Sequence, residues 1–381
     1  LMAEKVEIDL DWFKRWQEST NIDEGEYLRL TIRDEVYPIT LFVSPESGRI
    51  EKLKTMEWDV IYGDIELEVI FDQWQRVDGI DFPMLVKISQ GGAPRMEVRR
   101  SLVEVNPTQD PDYFKPAPGV VYKHDEVAAT RGKFLSQTIR MFTLAGAARP
   151  QLNSIELEPG VDLIYALPID GVYTMVVEQA NGVVVIEPGM NDLKGEEIIK
   201  WIGKRYPGKP VTHLIVSHHH NDHGGGIRPY VASGATLVVH ETATEFYKAQ
   251  ASRPKSRVLM DALDRNPQSA KIVGVAAGDS YTIEDPTQSV SVYPVLGGHT
   301  EDMVVAVIEK QSILYAGDLY VSGIARDLRS GTKRGPNVLP FHSAVALDET
   351  IRAYDLDVPI LVGSHDRQPV TYQDLVNYIT D

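Results

Sequence analysis

Four histidines crowd the segment Ser217–Gly226, and this segment constrains the fold more than any other part of the chain. It reads Ser-His-His-His-Asn-Asp-His-Gly-Gly-Gly and follows the apolar run Leu214–Val216, which is typical of a short buried strand. Because side chains alternate in an extended segment, His218 and His220 are expected to point to one side while His219 points away. One metal ion can therefore bind both His218 and His220.

Asp222 and His223 fall on the turn that follows, where they can serve a neighbouring metal ion. The glycines Gly224–Gly226 are expected to let the backbone bend tightly and start the next helix. The spacing thus predicts a cradle for two metal ions at the end of a strand.

Three more polar residues, His299, Asp318 and His365, each stand just after an apolar strand-like run. Strand ends and the loops after them are where α/β proteins build their sites. A carboxylate between two cations can bridge them, which is the role that we predict for Asp318. The chain contains no cysteine, so imidazole and carboxylate groups must supply every such ligand.

In order and spacing, His-X-His-X-Asp-His, a later Gly-His-Thr, a Gly-Asp and a final Ser-His resemble the metallo-β-lactamase superfamily. The resemblance covers roughly residues 151–381 and implies an αββα sandwich with a dimetal site at one edge of its two sheets. Carried over to this chain, it assigns His218, His220 and His299 to the first metal ion, Asp222, His223 and His365 to the second, and Asp318 to the bridge.

Two positions indicate a branch of that superfamily. Asp318 stands where many of its β-lactamases place a cysteine, and a bridging aspartate resembles the glyoxalase II, lactonase and phosphodiesterase branches. His220 stands where the flavodiiron branch usually carries glutamate, so oxygen reduction is disfavoured.

A dinuclear hydrolase is the function that these features predict. Two divalent cations about 3.5 to 4 Å apart lower the pKa of a bridging water toward roughly 7, and the hydroxide attacks the substrate. Asp222 is the predicted catalytic residue, because it can orient the hydroxide and move its proton. Zinc suits the mixed ligand set best, and iron or manganese also fits. The predicted substrate is a lactone, β-lactam, ester or thioester; a phosphodiesterase and a mono-iron sulfur dioxygenase are the alternatives.

Four further residues are weaker candidates for substrate binding. Arg326 and Lys333 lie in a Gly-rich polar loop that can bind an anion or be a solvated surface. His342 precedes a helical pattern and can face the cleft, and the Tyr320 hydroxyl can contact a tetrahedral intermediate or simply pack. His219 and His240 are predicted to be structural.

Composition and the pattern of predicted strands and helices indicate two domains of different structural class. Residues 1–118 alternate β-rich runs with turns such as Asp78–Gly79, after a short helix predicted over Leu10–Gln17. Four prolines between 107 and 118 mark the boundary, and a linker with a helix over Ala128–Ala148 follows at 119–150. Residues 151–381 alternate strands with helices as an α/β catalytic domain does. The N-terminal domain is a candidate lipid- or protein-binding module.

The balance of charged residues indicates which class of partner the protein binds. Fifty-five acidic against 38 basic residues give a formal charge of −17, which repels nucleic acid and favours a small-molecule substrate. No apolar run is long enough for a transmembrane helix. We therefore expect a soluble protein that can form a homo-oligomer. Its expected location is the cytoplasm or, after removal of a signal peptide, the periplasm or the outside of the cell.

Overall fold

The computed structural model describes residues 20–22, 27–108, 110, 112–113, 115, 150–167, 171–257, 260–320, 339–366 and 368–380. The helices predicted over Leu10–Gln17 and Ala128–Ala148, like Arg326 and Lys333, lie outside these residues. The chain divides into two compact units, Leu1–Tyr122 with Pro254–Leu259 and Lys123–Arg253 with Met260–Asp381. The domain boundaries at 118 and 150 stay a prediction.

The first unit contains a seven-stranded antiparallel sheet whose strands pair in chain order. Its alternating sequence gives one apolar face, along which five leucine, valine and isoleucine side chains are successive register partners: Leu30, Leu41, Leu53, Val69 and Ile88. The other face carries charges, such as Lys54 and Glu68, whose ion pair measures 3.2 Å. The N-terminal antiparallel sheet predicted from the sequence is thus confirmed. Its strands are β1 (Thr20–Ile22), β2 (Leu28–Ile32), β3 (Ile39–Val43), β4 (Ile50–Asp59), β5 (Gly63–Val77), β6 (Ile80–Gln90) and β7 (Ala93–Arg99).

The second unit contains two mixed sheets. One has the order β14-β13-β12-β11-β10-β9-β8 and the other runs in order from β15 to β20. The strands of the first are β8 (Gln151–Glu158), β9 (Val161–Leu167), β10 (Thr174–Glu178), β11 (Val183–Ile186), β12 (Val211–Ile215), β13 (Thr236–His240) and β14 (Lys271–Val275). Those of the second are β15 (Tyr281–Ile283), β16 (Val290–Pro294), β17 (Val304–Ile308), β18 (Ile313–Gly317), β19 (Ile360–Gly363) and β20 (Val370–Thr371).

Helices cover the outer faces of these sheets. They are α1 (Asp192–Arg205), α2 (Asn221–Gly224), α3 (Arg228–Ala232), α4 (Thr244–Ser252), α5 (Ala262–Arg265), α6 (Leu339–Ala353) and α7 (Tyr372–Thr380). Single 3₁₀ turns occupy Glu241–Ala243 and Glu309–Gln311. No helix among the described residues has the length and apolarity needed to cross a bilayer.

Three apolar layers hold the second unit together, and β11 shows how one strand serves two of them. Val184 and Ile186 enter the core between the two sheets, whereas Val183 and Val185 face the helices α1, α3, α4 and α5. A third layer lies between the other sheet and α6 and α7. Strands buried on both faces explain the continuous apolar runs of the sequence. The layer order is α, β, β, α, as predicted.

The topology brings the ends of several strands to one edge. The parallel strands β11, β12 and β13 end together, as do β18 and β19, because parallel strands share their direction. The two edges are joined where the Val304 amide donates to the Ser217 carbonyl at 2.8 Å. The polar residues that follow these strands therefore meet in one place.

Candidate metal centre

Three histidine side chains converge just beyond β12 and β16. Nδ1 of His220 lies 3.0 Å from Nε2 of His218 and 3.1 Å from Nε2 of His299. His218 and His220 point to the same side because they alternate along the extended segment after β12, and His299 arrives from the other sheet. We call His218, His220 and His299 the three-histidine group.

A second group forms beside it. Asp222 and His223 lie on α2, and His365 follows β19. Nε2 of His223 lies 3.3 Å from Oδ2 of Asp222, and Nε2 of His365 lies 3.9 Å from the same oxygen. The potential ligand atoms of these three residues all lie within 4.8 Å of one another. Asp222, His223 and His365 are the aspartate group.

Asp318 lies between the two groups and turns one carboxylate oxygen to each. Its Oδ2 is 3.6 Å from Nε2 of His299, while its Oδ1 is 3.3 Å from Nε2 of His223 and 3.2 Å from Nε2 of His365. A carboxylate that faces two sets of ligands with separate oxygens has the orientation that a bridging ligand needs.

The three-histidine group is held in the state that binds metal. Burial, together with repulsion from the neighbouring imidazoles, lowers the pKa of His218 well below its usual value, and burial also lowers the pKa of His220 and of His299. Neutral imidazole is the form that coordinates a cation. These side chains are therefore ready to bind metal at neutral pH.

The carboxylates around His223 make the aspartate group a favourable place for positive charge. Burial alone would raise the pKa of Asp318, but attraction from His223 and His365 outweighs it and holds the pKa well below the usual value. Burial alone would lower the pKa of His223, yet Asp318, Glu187 and Asp222 together raise it well above normal. A site that favours a positive imidazole this strongly also favours a bound cation.

Hydrogen bonds from neighbouring residues fix several of these side chains. The Nδ1 atom of His218 pairs with Oγ of Ser217 at 2.9 Å, and Nδ1 of His365 donates to the Gly171 carbonyl at 2.6 Å. The Ser364 hydroxyl donates to Oδ1 of Asp318. Because the outward ring nitrogens are occupied, Nε2 of both histidines is left to face the centre.

Glu187 is a member of the site that the sequence analysis missed. It directly follows β11, is fully buried, and places Oε1 3.5 Å from Nδ1 of His223. Its backbone adopts a left-handed conformation with φ of 69°, which costs energy in a residue other than glycine. A carboxylate behind a histidine ligand orients the ring and raises its basicity. The only sequence signal was an acidic residue at the end of an apolar strand.

The glycines after His223 lead through a turn at Gly225 and Gly226 into the next helix, α3, but without the positive backbone angles that favour glycine. Helix α2 begins at Asn221, before them, and Gly225 has an ordinary helical φ of −64°. What they provide is close approach: a Cβ at Gly225 would lie 2.1 Å from the Met190 carbonyl oxygen, and one at Gly226 would lie 2.7 Å from that of Gly189. The absence of a side chain, rather than an unusual backbone angle, is what this turn requires.

Divalent cations fit both groups. Tetrahedral zinc with bonds of about 2.0–2.1 Å places its nitrogen ligands about 3.3 Å apart, close to the separations in the three-histidine group. Nδ1 of His220 faces two other imidazole nitrogens and can form a hydrogen bond with only one at a time. In the aspartate group, neither ring nitrogen of buried His223 has a hydrogen-bond partner among the described residues. A cation in each group would satisfy Nδ1 of His220 and Nε2 of His223.

The remaining candidates fall outside the two groups. Tyr320 is buried, donates its hydroxyl to the Asp374 carbonyl at 3.3 Å and packs against Tyr378, which favours packing over the substrate contact that the sequence left open. His342 is exposed on α6. Its neighbour Ser343 lies close to Gly298, since a Cβ added to Gly298 would be 3.5 Å from the Ser343 Cα. A substrate role for His342 stays a prediction.

The two histidines predicted to be structural both have local partners. His219 pairs with Asp302 at 2.8 Å, and His240 pairs with the Thr242 hydroxyl at 2.8 Å beside the 3₁₀ turn that it caps. Neither belongs to the two ligand groups.

The chain is similar to proteins described as metallo-beta-lactamases. A type 2 metallo-beta-lactamase of Elizabethkingia meningoseptica is 28% identical over 149 residues, which are 39% of this chain and 52% of the relative. The chain thus spans about half the length of that curated relative. Solved metallo-beta-lactamases of Pontibacter korlensis and Hirschia baltica match with TM-scores of 0.45 and 0.44 and identities of 21% and 19%. Each comparison covers 60% of this chain and 98% and 96% of the respective structure.

The sequence profile of the Metallo-beta-lactamase superfamily matches residues 167–365, more than half of the chain. This range contains both ligand groups and Asp318, together with the strands of the two sheets that carry them. With that match, the protein belongs to the metallo-beta-lactamase superfamily.

Proposed function

We propose that this protein is a dinuclear-metal hydrolase that cleaves a carboxyl derivative: a lactone, β-lactam, ester or thioester. Membership of the superfamily supports a metal-dependent hydrolase in general. The observation that carries the specific proposal is the orientation of Asp318, which turns Oδ2 toward the three-histidine group and Oδ1 toward the aspartate group. One bridging carboxylate between two complete ligand groups suits two metal ions rather than one.

The three-histidine group would hold one ion and the aspartate group the other, with Asp318 shared. A divalent pair supplies Lewis acidity toward the substrate and a water acidic enough to attack at neutral pH. Zinc is the ion that this set of imidazole and carboxylate ligands suits best, and iron or manganese also fits.

Asp222 is the residue that we assign to proton transfer. It is buried, and although burial alone would raise its pKa, attraction from His223 holds the pKa below the usual value. Asp222 is therefore ionised at neutral pH and able to orient a nucleophilic water and accept its proton. The cost of burying this carboxylate is offset by the histidines beside it.

An acyl substrate is preferred to a phosphodiester on electrostatic grounds. The formal charge of −17 opposes the approach of polyanions, whereas lactones and many esters are neutral. The similarity to a type 2 metallo-beta-lactamase supports the inclusion of β-lactams among the substrates to be assayed. Arg326, Lys333 and His342 remain predicted contacts for the substrate.

The test combines metal content with turnover. Protein purified without added metal should contain about two zinc ions per chain, and it should hydrolyse a chromogenic cephalosporin, a lactone or an aryl ester in a chelator-sensitive manner. His365→Ala should retain one ion, whereas His240→Ala, a histidine at the end of another strand, should retain both. Preference for bis-p-nitrophenyl phosphate would identify a phosphodiesterase, and one iron without hydrolysis a dioxygenase. Protein that binds no metal would refute the proposal.

A further inference from the structure

Lys194 on α1 is a charged residue buried in the second unit, with only 1% of its surface exposed. Its Nζ donates to the Val172 carbonyl at 2.9 Å. Lysine is rarely buried to this extent, because removing its ammonium group from water is costly unless hydrogen bonds compensate. The hydrogen bond to the Val172 carbonyl offsets part of that cost, so Lys194 and this stretch of backbone are held together.

That backbone segment lies directly behind a predicted metal ligand. The carbonyls of three consecutive residues, Gly171 to Tyr173, each accept a hydrogen bond from a side chain of a different element. Nδ1 of His365 donates to Gly171 at 2.6 Å, Lys194 donates to Val172, and the Tyr315 hydroxyl donates to Tyr173 at 2.5 Å. Lys194 therefore fixes the peptide next to the carbonyl that orients His365.

The aliphatic part of Lys194 supports a second segment. A Cβ at Gly189, where φ is 92°, would lie 2.7 Å from Cδ of Lys194, so the loop before α1 packs directly on the lysine stem. The Gly189 carbonyl in turn accepts the Gly226 amide at 2.9 Å. Gly226 closes the turn that begins with α2, the helix that carries Asp222 and His223.

We infer that Lys194 is a positioning residue for the aspartate group, and that it controls how tightly the second metal ion binds. Its ammonium group supports the peptide behind His365 and its stem supports the loop behind α2, so it contacts the supports of all three aspartate-group ligands. Within the three-histidine group, Ser217 fixes His218 and His299 comes from the other sheet. The link from Lys194 to this group therefore runs through the backbone of His220, which caps α2, and not through a side chain that binds the first ion. The inference rests on the proposed dinuclear site.

Lys194→Met tests this, because methionine fills most of the same volume without the ammonium group. Zinc affinity measured by competition with a chromophoric chelator should show the second ion bound about 10- to 100-fold more weakly and the first unchanged. In the cobalt-substituted protein, the absorption bands that appear with the second equivalent should shift, while those of the first equivalent stay. Lys200→Met is the matched control: this lysine is exposed on the same helix and pairs only locally with Glu197, at 2.8 Å, so both affinities should match wild type.

Gly189→Ala approaches the same contact from the other side and covers the case in which Lys194→Met fails to fold. Its new methyl group would displace the lysine stem, and the second ion should again weaken selectively. Two tightly bound ions in both variants would overturn the inference while leaving the proposed function intact, as would parallel loss of both ions with the melting temperature. Wild-type protein that binds fewer than two ions would refute the dinuclear function itself.

Discussion

Glu187 shows how one buried carboxylate can tune a site that it does not enter. Its Oε1 faces Nδ1 of His223 at 3.5 Å, and neither of its oxygens has a hydrogen-bond partner among the described residues. A metal ion on Nε2 of His223 would acidify the ring, so that Nδ1–H becomes a stronger donor to this carboxylate. The left-handed backbone at Glu187 is the energetic cost of that placement.

Glu187→Gln should therefore weaken the second metal ion without removing a ligand. Glutamine keeps the size of the side chain and loses its charge, so His223 becomes less basic and zinc affinity at the aspartate group should fall by about 10- to 100-fold. Titration with a competing chelator measures this, and the three-histidine group serves as the internal reference. Equal weakening of both ions would contradict a role specific to His223.

The contrast between these residues explains how much of the site the sequence could predict. His218 and His220 follow from strand alternation, and Asp222 and His223 from their place on the next turn. Glu187 contacts a residue 36 positions away, and nothing in its local pattern separates it from an ordinary acidic residue after a strand. Contacts that only the topology of the fold creates, such as that of Lys194 with Val172, cannot be predicted from the spacing of residues in the sequence.

At the scale of elements, the sequence predicts a strand over Ile39–Val43 and a helix around Glu196–Arg205. The strand matches β3, whereas the helix begins earlier, at Asp192. The difference has a local cause: Asn191 caps α1 by accepting the Lys194 amide at 2.9 Å, and the apolar periodicity starts only later. Strands buried on both faces reveal themselves as unbroken apolar runs.

A buried ionic network ties α1 to α4 and α5 and should make stability depend on pH. Asp192 accepts from Arg253 at 2.6 Å, and Arg253 also contacts Asp261. Burial raises the pKa of Asp192 to about 7 despite the attraction of Arg253. Between about pH 4 and 7 the folded state then binds more protons than the unfolded state, whose carboxyl titrates near its ordinary value. The free energy of unfolding should fall as pH rises through this window.

Asp192→Asn isolates that contribution, because asparagine cannot titrate. Urea denaturation across the pH series should show wild type losing stability relative to Asp192→Asn between pH 4 and 7, by at most about 4 kcal/mol. The metal ligands titrate in both proteins and cancel in the difference. A constant difference between the two proteins would show that Asp192 stays ionised in the folded state.

At the scale of the whole molecule, the predicted α/β fold with an N-terminal antiparallel sheet is confirmed, but one segment was not foreseen. Pro254–Leu259, which lies between α4 and α5 in the chain, belongs to the first unit. Asp64 at the start of β5 accepts from the Ser256 hydroxyl at 2.6 Å and from the Arg257 amide at 2.9 Å. These six residues have no hydrophobic periodicity, so the sequence does not show that they pack with the first unit. Which distant residues a segment contacts is determined by the fold and leaves no local pattern.

The net charge of −17 acts on every charged substrate before any local contact does. Long-range repulsion slows the approach of anions, and salt screens it within about 10 Å at 0.1 M. Raising the salt from low to near-molar concentration should therefore increase kcat/KM for an anionic ester by up to about tenfold and leave a neutral lactone unchanged. Steady-state kinetics on a matched pair of substrates measures both. A fall in kcat/KM for the anion would mean that local cations outweigh the global field, and Arg326 and Lys333 would then be the side chains to replace first.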